Sequence, residues 1–134
     1  MTLADTTGRF FDTDTWAWWQ ARRLRYTLAL GAAGWLAYAV TLALFYGFGQ
    51  PMWSNWRDAF AATLILGTLY LVVIGAANVA YLLGPAVEAW ARPAEVERYR
   101  KGAFAMGFWG SVALPFAVPL ICFAMLVASS AGGD

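Results

Sequence analysis

The charged residues of this sequence leave three long runs without charge, and no other feature constrains its fold as strongly. Residues 26–56, 59–87 and 102–133 contain no Asp, Glu, Lys or Arg. Each run exceeds the roughly 20 residues that a helix needs to cross a hydrocarbon core of about 30 Å. Because unpaired backbone groups are costly in lipid and three runs cannot close a barrel, the pattern predicts transmembrane helices. We expect an all-α, polytopic integral membrane protein with three transmembrane helices and short interfacial helices.

Composition and spacing divide the chain into alternating membrane and surface segments. Hydrophobic residues make up 61% of the 134 residues and charged residues 13%, whereas a soluble domain of this size needs more charge. We expect a single transmembrane domain, residues 1–134. Its predicted parts are a cytoplasmic or interfacial segment (1–26), the first span (27–47), an outer loop (48–58), the second span (59–84), a cytoplasmic interfacial segment (85–102), the third span (103–128) and an outer tail (129–134).

The basic residues predict which ends of the spans face the cytoplasm. The outer loop and the outer tail together hold one basic residue, Arg57, and the other two segments hold the remaining eight. This bias follows the positive-inside rule. We therefore expect an N-in, C-out, multi-pass topology in a bacterial-type inner (cytoplasmic) membrane. The eight residues are Arg9, Arg22, Arg23, Arg25, Arg92, Arg98, Arg100 and Lys101.

The segment before the first span is polar and aromatic. It is acidic at Asp5, Asp12 and Asp14 and lacks the basic-then-apolar order of a cleaved signal peptide, so we expect the first run to remain as an anchor. Residues 13–15 offer N-cap side chains, and residues 16–25 should lie as a helix on the membrane surface before the chain turns into the first span. The predicted interfacial anchors are Trp16, Trp19, Arg22, Arg23, Trp53, Trp56 and Trp90.

Glycine, proline and capping residues predict the helix boundaries. Residues 48–51 should end the first helix, and Asp58 should cap the second. Pro85, which follows a glycine, should end or kink the second span. Pro93 should open a short helix that leads into the third span.

Small side chains recur every four residues along two of the spans. Such stripes let helix backbones approach in lipid, so they predict faces that pack against one another or against a partner. The prolines of the third span also predict a kink, and the alternatives for that span are a functional hinge or a groove for a lipid tail, a pigment or another helix. The stripes consist of Ala29, Ala33 and Ala37 in the first span and Ala103, Gly107, Ser111, Pro115 and Pro119 in the third.

Asn78, Tyr81 and Glu88 share one face of the second span if its helix continues past the proline. Asn78 is the only side-chain amide in the predicted membrane cores, and an amide in hydrocarbon requires a hydrogen-bond partner. This favours a tie between helices, and the alternative is a polar site for a lipid headgroup or a small substrate. The expected ionic partners of Glu88 are Arg22, Arg23 or Arg25.

The sequence contains no recognisable catalytic constellation. It has no histidine and a single cysteine, Cys122, so the usual ligand sets for zinc, haem and iron–sulfur centres are missing. No carboxylate or basic side chain falls at mid-membrane, which argues against a pump, a proton-coupled carrier or a voltage sensor. We expect a protein that is not an enzyme, does not bind nucleic acid and holds no cofactor through its own side-chain ligands. Its apolar faces can still contact lipid or pigment.

These features favour a non-catalytic accessory subunit that packs beside larger subunits in a membrane-embedded, energy-transducing or transport complex. Its expected partners are membrane lipids and either other transmembrane subunits or copies of itself. The main alternative is a small self-oligomerising channel or transporter with a polar path between protomers. A third hypothesis is an enzyme that acts on lipid through Glu88 or Glu95. The residues that would line the channel are Thr41, Thr63, Thr68 and Asn78.

Overall fold

The computed structural model describes residues 13–91 and 93–132, and these residues form an all-helical structure. Three helical stretches are long and apolar enough to cross a membrane, which confirms the prediction of an all-helical chain with three such helices. The first 12 residues of the predicted N-terminal segment, Arg92 and the last two residues of the tail lie outside the described range. The elements are α1 (Thr13–Gly47), α2 (Trp56–Tyr81), α3 (Leu83–Ala91), α4 (Val96–Ala113), a 3-10 turn (Leu114–Phe116) and α5 (Ala117–Ala131).

The first helix, α1, is a single uninterrupted helix of 35 residues. At 1.5 Å per residue it is about 52 Å long, well beyond the roughly 30 Å of a hydrocarbon core. The prediction of a surface helix at residues 16–25 that turns into the first span is therefore wrong. These residues instead continue the axis of the spanning helix, and some of their side chains, including Trp19 and Arg23, bond to the other helices.

Two helix ends are formed by specific capping interactions. At the end of α1, Gly49 has a positive φ of 67°, and Gln50 N–H donates to the Phe45 carbonyl at 2.9 Å in a Schellman motif. At the start of α2 the N-cap is Asn55 and not Asp58, because the Asn55 side chain accepts hydrogen bonds from the backbone N–H groups of residues 57 and 58. Asp58 completes this cap by accepting from Asn55 Nδ2 at 2.7 Å.

Prolines interrupt the second and third helical stretches. The second stretch breaks between Tyr81 and Leu83, because Pro85 lacks the N–H that would bond to the Tyr81 carbonyl. The third stretch tightens into the 3-10 turn at Pro115, one helical turn before Pro119. The sequence therefore located both interruptions. Helix α4 begins at Val96, three residues after the predicted start.

The central helix of the bundle is α1, which contacts all the other helices. Helix α2 packs mainly against α1 and has no buried residue of its own. The inner face of α1 therefore forms most of the core. Its buried residues are Thr15, Trp19, Tyr26, Leu30, Ala33, Ala37 and Thr41.

A cluster of aromatic rings fills the junction of the three helical stretches at their arginine-rich ends. Neighbouring ring centroids lie between 5.0 and 6.5 Å apart, mostly in edge-to-face or tilted arrangements. Gly84 leaves room for one of these rings, because a Cβ there would overlap the indole of Trp19. This aromatic cluster consists of Trp18, Trp19, Tyr26, Tyr81, Phe104 and Phe108.

Further along α1, Gly34 allows α2 to approach closely. The ring of Tyr70 lies directly over Gly34, and its hydroxyl donates to the Leu30 carbonyl at 2.8 Å. A side chain at position 34 would occupy the space of that ring. One glycine thus permits both a close helix contact and a hydrogen bond between helices.

Replacing Gly34 with alanine should lower the free energy of unfolding by about 1–3 kcal/mol, because the added Cβ displaces Tyr70 and breaks its bond to Leu30. The measurement is a denaturation titration of the purified chain in mixed micelles. Gly31→Ala is the matched control, since a Cβ at Gly31 meets no neighbour within 4 Å. Equal effects of the two substitutions would contradict the packing described here.

Candidate functional site

The most enclosed charged groups in the described residues form an ion pair between Glu88 on α3 and Arg100 on α4. Their side chains are 6% and 9% exposed, and Arg100 Nη2 lies 2.7 Å from Glu88 Oε1. Arg100 Nε also donates to both carboxylate oxygens, at 2.9 and 3.1 Å. A buried pair needs such additional bonds, because the attraction alone does not repay the loss of hydration.

The N-terminal end of α1 supplies these additional bonds. Thr15 Oγ1 donates to Glu88 Oε1 at 3.1 Å, and Trp19 Nε1 donates to Oε2 at 3.0 Å. Arg100 Nη2 in turn donates to Thr15 Oγ1 at 3.2 Å and to Asp14 Oδ2 at 3.0 Å. We call these five residues the ionic cluster. It joins all three helical stretches through one carboxylate and one guanidinium group.

The expectation that Glu88 pairs with an arginine of α1 is wrong. Its partner is Arg100, because the turn between α3 and α4 folds the two helices against each other. Glu88 lies six residues before Ala94 and Arg100 lies six residues after it, so the two residues face each other across this helical hairpin. That symmetry about the Pro93 turn is the signal that could have identified the pair.

The arginines expected to pair with Glu88 have other contacts. Arg22 stacks 3.7 Å from the centre of the Trp18 ring, and its Nη1 donates to the Trp18 carbonyl at 3.0 Å. Arg23 reaches α2, where its Nε donates to Asn78 Oδ1 at 3.2 Å. Arg25 is exposed. The three guanidinium groups therefore have different surroundings although they lie within one turn of α1.

Asn78 joins α2 to α1 at a point farther along α1 than the ionic cluster. Its Oδ1 accepts from Thr27 Oγ1 at 3.0 Å as well as from Arg23, and its Nδ2 donates to the Ile74 carbonyl at 3.0 Å. The orientation of the amide follows from this pattern, because a flipped amide would point its Nδ2 donor at the Arg23 Nε donor and its oxygen at the Ile74 carbonyl. Asn78 is thus an interhelical tie whose oxygen is fully engaged within the chain.

Tyrosine hydroxyls form a further set of bonds between helices. Tyr81 OH donates to the Trp19 carbonyl at 2.8 Å, so the face that carries Asn78, Tyr81 and Glu88 meets α1 along its length although the helix breaks after Tyr81. With Tyr70, five of the six tyrosines bond to another helix, which satisfies their hydroxyls away from water. The remaining pairs are Tyr26 with Ser111, Tyr38 with Thr63, and Tyr99 with Gly84.

The small-residue stripes lie partly at helix contacts. In the first span Ala33 and Ala37 are buried and Ala29 is half-buried. In the third span only the last residue of the stripe is fully buried. Along it, Gly107 is exposed, Ala103, Ser111 and Pro115 are half-buried, and Pro119 is buried.

Among the predicted interfacial anchors, Trp19 is placed differently from expectation. Its ring is 3% exposed and its N–H bonds to Glu88, so it is a core residue and not a headgroup contact. Trp56 and Trp90 are exposed, as an anchor must be. Trp16 and Trp53 are half-buried, and the indole N–H of Trp53 is enclosed without a partner among the described residues.

The polar residues considered for a channel lining have partners within the chain. Thr41, Thr63 and Thr68 each donate to the backbone carbonyl four residues earlier in the same helix. Glu95, considered for lipid chemistry, forms an exposed pair with Arg98 at 3.3 Å. Among the described residues, no group of three or more Cys, Asp or Glu side chains is placed to hold a metal ion. The bonds between helices come instead from the ionic cluster, Asn78 and the tyrosines.

Replacing Glu88 with glutamine should lower the free energy of unfolding by about 3 kcal/mol, because the buried charge of Arg100 then loses its principal counter-charge. The same micelle titration measures this change. Glu97→Gln removes an exposed carboxylate that pairs with Lys101 at 3.0 Å and should leave the unfolding midpoint unchanged. Similar midpoints for both variants would show that the ionic cluster does not hold the bundle together.

Comparison with known proteins adds no further constraint. The chain matches no protein-family model, no curated protein and no solved structure. Its function must therefore be inferred from its own residues. These residues combine a bonded interior with a large apolar exterior.

Proposed function

We propose that this protein is a non-catalytic accessory subunit that packs beside larger subunits of a membrane-embedded complex. The observation that carries the proposal is the exposure of α2. This helix of 26 residues has no buried residue, and its large apolar side chains point outward in several directions. They are Phe60, Leu64, Ile65, Leu66, Leu69, Leu71, Val72, Val73 and Val79.

The polar interior supports the same proposal. Side chains that could serve a substrate, namely Asn78, Glu88 and most tyrosines, bond to neighbouring helices of the same chain. The groups left for interaction are therefore mainly apolar side chains, which suit lipid and other transmembrane helices. Trp35 and Trp109 add two exposed indole rings within the spans. A scaffold that presents such surfaces needs no reactive centre.

The proposal includes an orientation. We place the ionic cluster and the arginine-rich ends of the helices on the cytoplasmic side of a bacterial-type inner membrane, with an N-in, C-out topology, as the positive-inside rule requires. Exposed Trp90 then lies at the cytoplasmic interface and exposed Trp56 at the opposite one. The complex served is of an energy-transducing or transport type, and the apolar faces toward it contact lipid, pigment or another subunit.

A photo-crosslinking amino acid at Leu71 of α2 should capture a different, larger membrane protein in the native membrane. The same amino acid at Ala33, which is buried against neighbouring helices, is the control and should capture none. The captured chain is identified by mass spectrometry after extraction in mild detergent. A particle of this chain alone, with no capture at Leu71, Val72 or Phe60, would refute the proposal. Capture of a second copy in a symmetric oligomer would favour the channel or transporter alternative.

A further inference from the structure

The two groups of basic residues at the arginine-rich end differ in how their charges are balanced. The basic residues described in α4 each form an ion pair with a carboxylate, so this helix start carries little net charge. The pairs are Arg98 with Glu95, Arg100 with Glu88, and Lys101 with Glu97.

The arginines of α1 have no such compensation. Within residues 13–91 and 93–132, no carboxylate forms an ion pair with Arg22, Arg23 or Arg25. Three positive charges therefore occupy one helical turn without an ion pair to a described carboxylate. This turn directly precedes residue 26, where the charge-free run of the first span begins. At that position an arginine lies at the level of lipid headgroups.

Of the three, Arg23 is held in a way that suits a specific ligand. Its Nε donates to Asn78 Oδ1, and Asn78 is itself fixed by Thr27 and by the Ile74 carbonyl. The two Nη groups of Arg23 have no acceptor among the described residues. The free side of a guanidinium whose Nε is fixed presents N–H donors in the geometry that two oxygens of one phosphate accept.

The neighbouring arginines are held differently. Arg22 lies flat on the Trp18 ring and uses Nη1 on a backbone carbonyl, so its donors are partly engaged. Arg25 is exposed and has no hydrogen bond to a described residue, so it contributes charge without a fixed direction. Arg23 alone combines a fixed position with free donors.

We propose that Arg23, positioned by Asn78, binds the phosphate of an anionic phospholipid at the arginine-rich surface of the bilayer. The ligand chemistry is a phosphate with at least one net negative charge, delivered by the lipid leaflet and not from solution. The site does not depend on whether the protein is an accessory subunit, because it uses only residues of α1 and α2.

The test compares two charge-conserving substitutions, Arg23→Lys and Arg25→Lys, in the full-length chain. Each variant is reconstituted with mixtures of phosphatidylglycerol and phosphatidylcholine, and the lipid retained on the protein is counted by native mass spectrometry. Arg23→Lys should lower retention of phosphatidylglycerol by about fivefold, since lysine lacks the fork and the Nε bond to Asn78. Arg25→Lys should not change it. Equal retention by both variants would overturn the proposal, because a diffuse basic surface responds only to net charge.

A second variant guards against loss of folding. Asn78→Asp keeps an acceptor for Arg23 and Thr27 but neutralises the Arg23 charge, so it should also lose phosphatidylglycerol while its helical circular dichroism stays unchanged. Retention equal to that of the unmodified chain would overturn the proposal.

A competition experiment with excess inorganic phosphate distinguishes a lipid phosphate from a soluble one. If inorganic phosphate displaces the lipid completely and stabilises the chain to the same extent, the ligand is a soluble phosphate and the lipid assignment is wrong.

Discussion

The bonds between Glu88, Arg100 and the start of α1 determine how the helices of this protein are arranged. Charged groups that leave water need full hydrogen bonding, and here the carboxylate receives donors from two other helical stretches. Its geometry leaves little freedom, because Thr15 must donate to Glu88 and accept from Arg100 at the same time. Hydrophobic burial is non-directional and weak between helices in lipid, so this network supplies the register that apolar side chains do not.

The bonds further along the chain follow from that register. Once Trp19 faces Glu88, the antiparallel course of α1 and α2 brings Thr27 to Asn78 and Tyr38 to Thr63. Each contact satisfies a polar group that would otherwise be costly in hydrocarbon. Helix α2 has no buried side chain, and hydrogen bonds at a few points connect it to α1.

The sequence predicted the helices well, because lipid permits few backbone structures. It predicted tertiary contacts poorly, because these depend on residues far apart in the chain. Charge-free runs predicted the spanning helices because lipid excludes other structures. The role of Trp19 was missed, because an indole next to arginines is as typical of a headgroup anchor as of an internal donor. Its burial depends on the space at Gly84, far away in the chain. The Glu88–Arg100 pair was missed for a related reason, since it forms only when two short helices fold back on each other.

The break in the second helical stretch has a mechanical consequence. Helix α3 is bonded to the ionic cluster through Glu88. Helix α2, which precedes Leu82, is attached mainly through side-chain contacts with α1. The missing backbone bond at Pro85 makes this junction the natural pivot of the stretch. A tilt of α2 about this junction, which a change in bilayer thickness would favour, is opposed by the bonds of Tyr38 to Thr63 and of Tyr70 to the Leu30 carbonyl. The position of α2 is thus set by a few separate contacts along α1, whereas that of α3 is set by one dense group of charged hydrogen bonds.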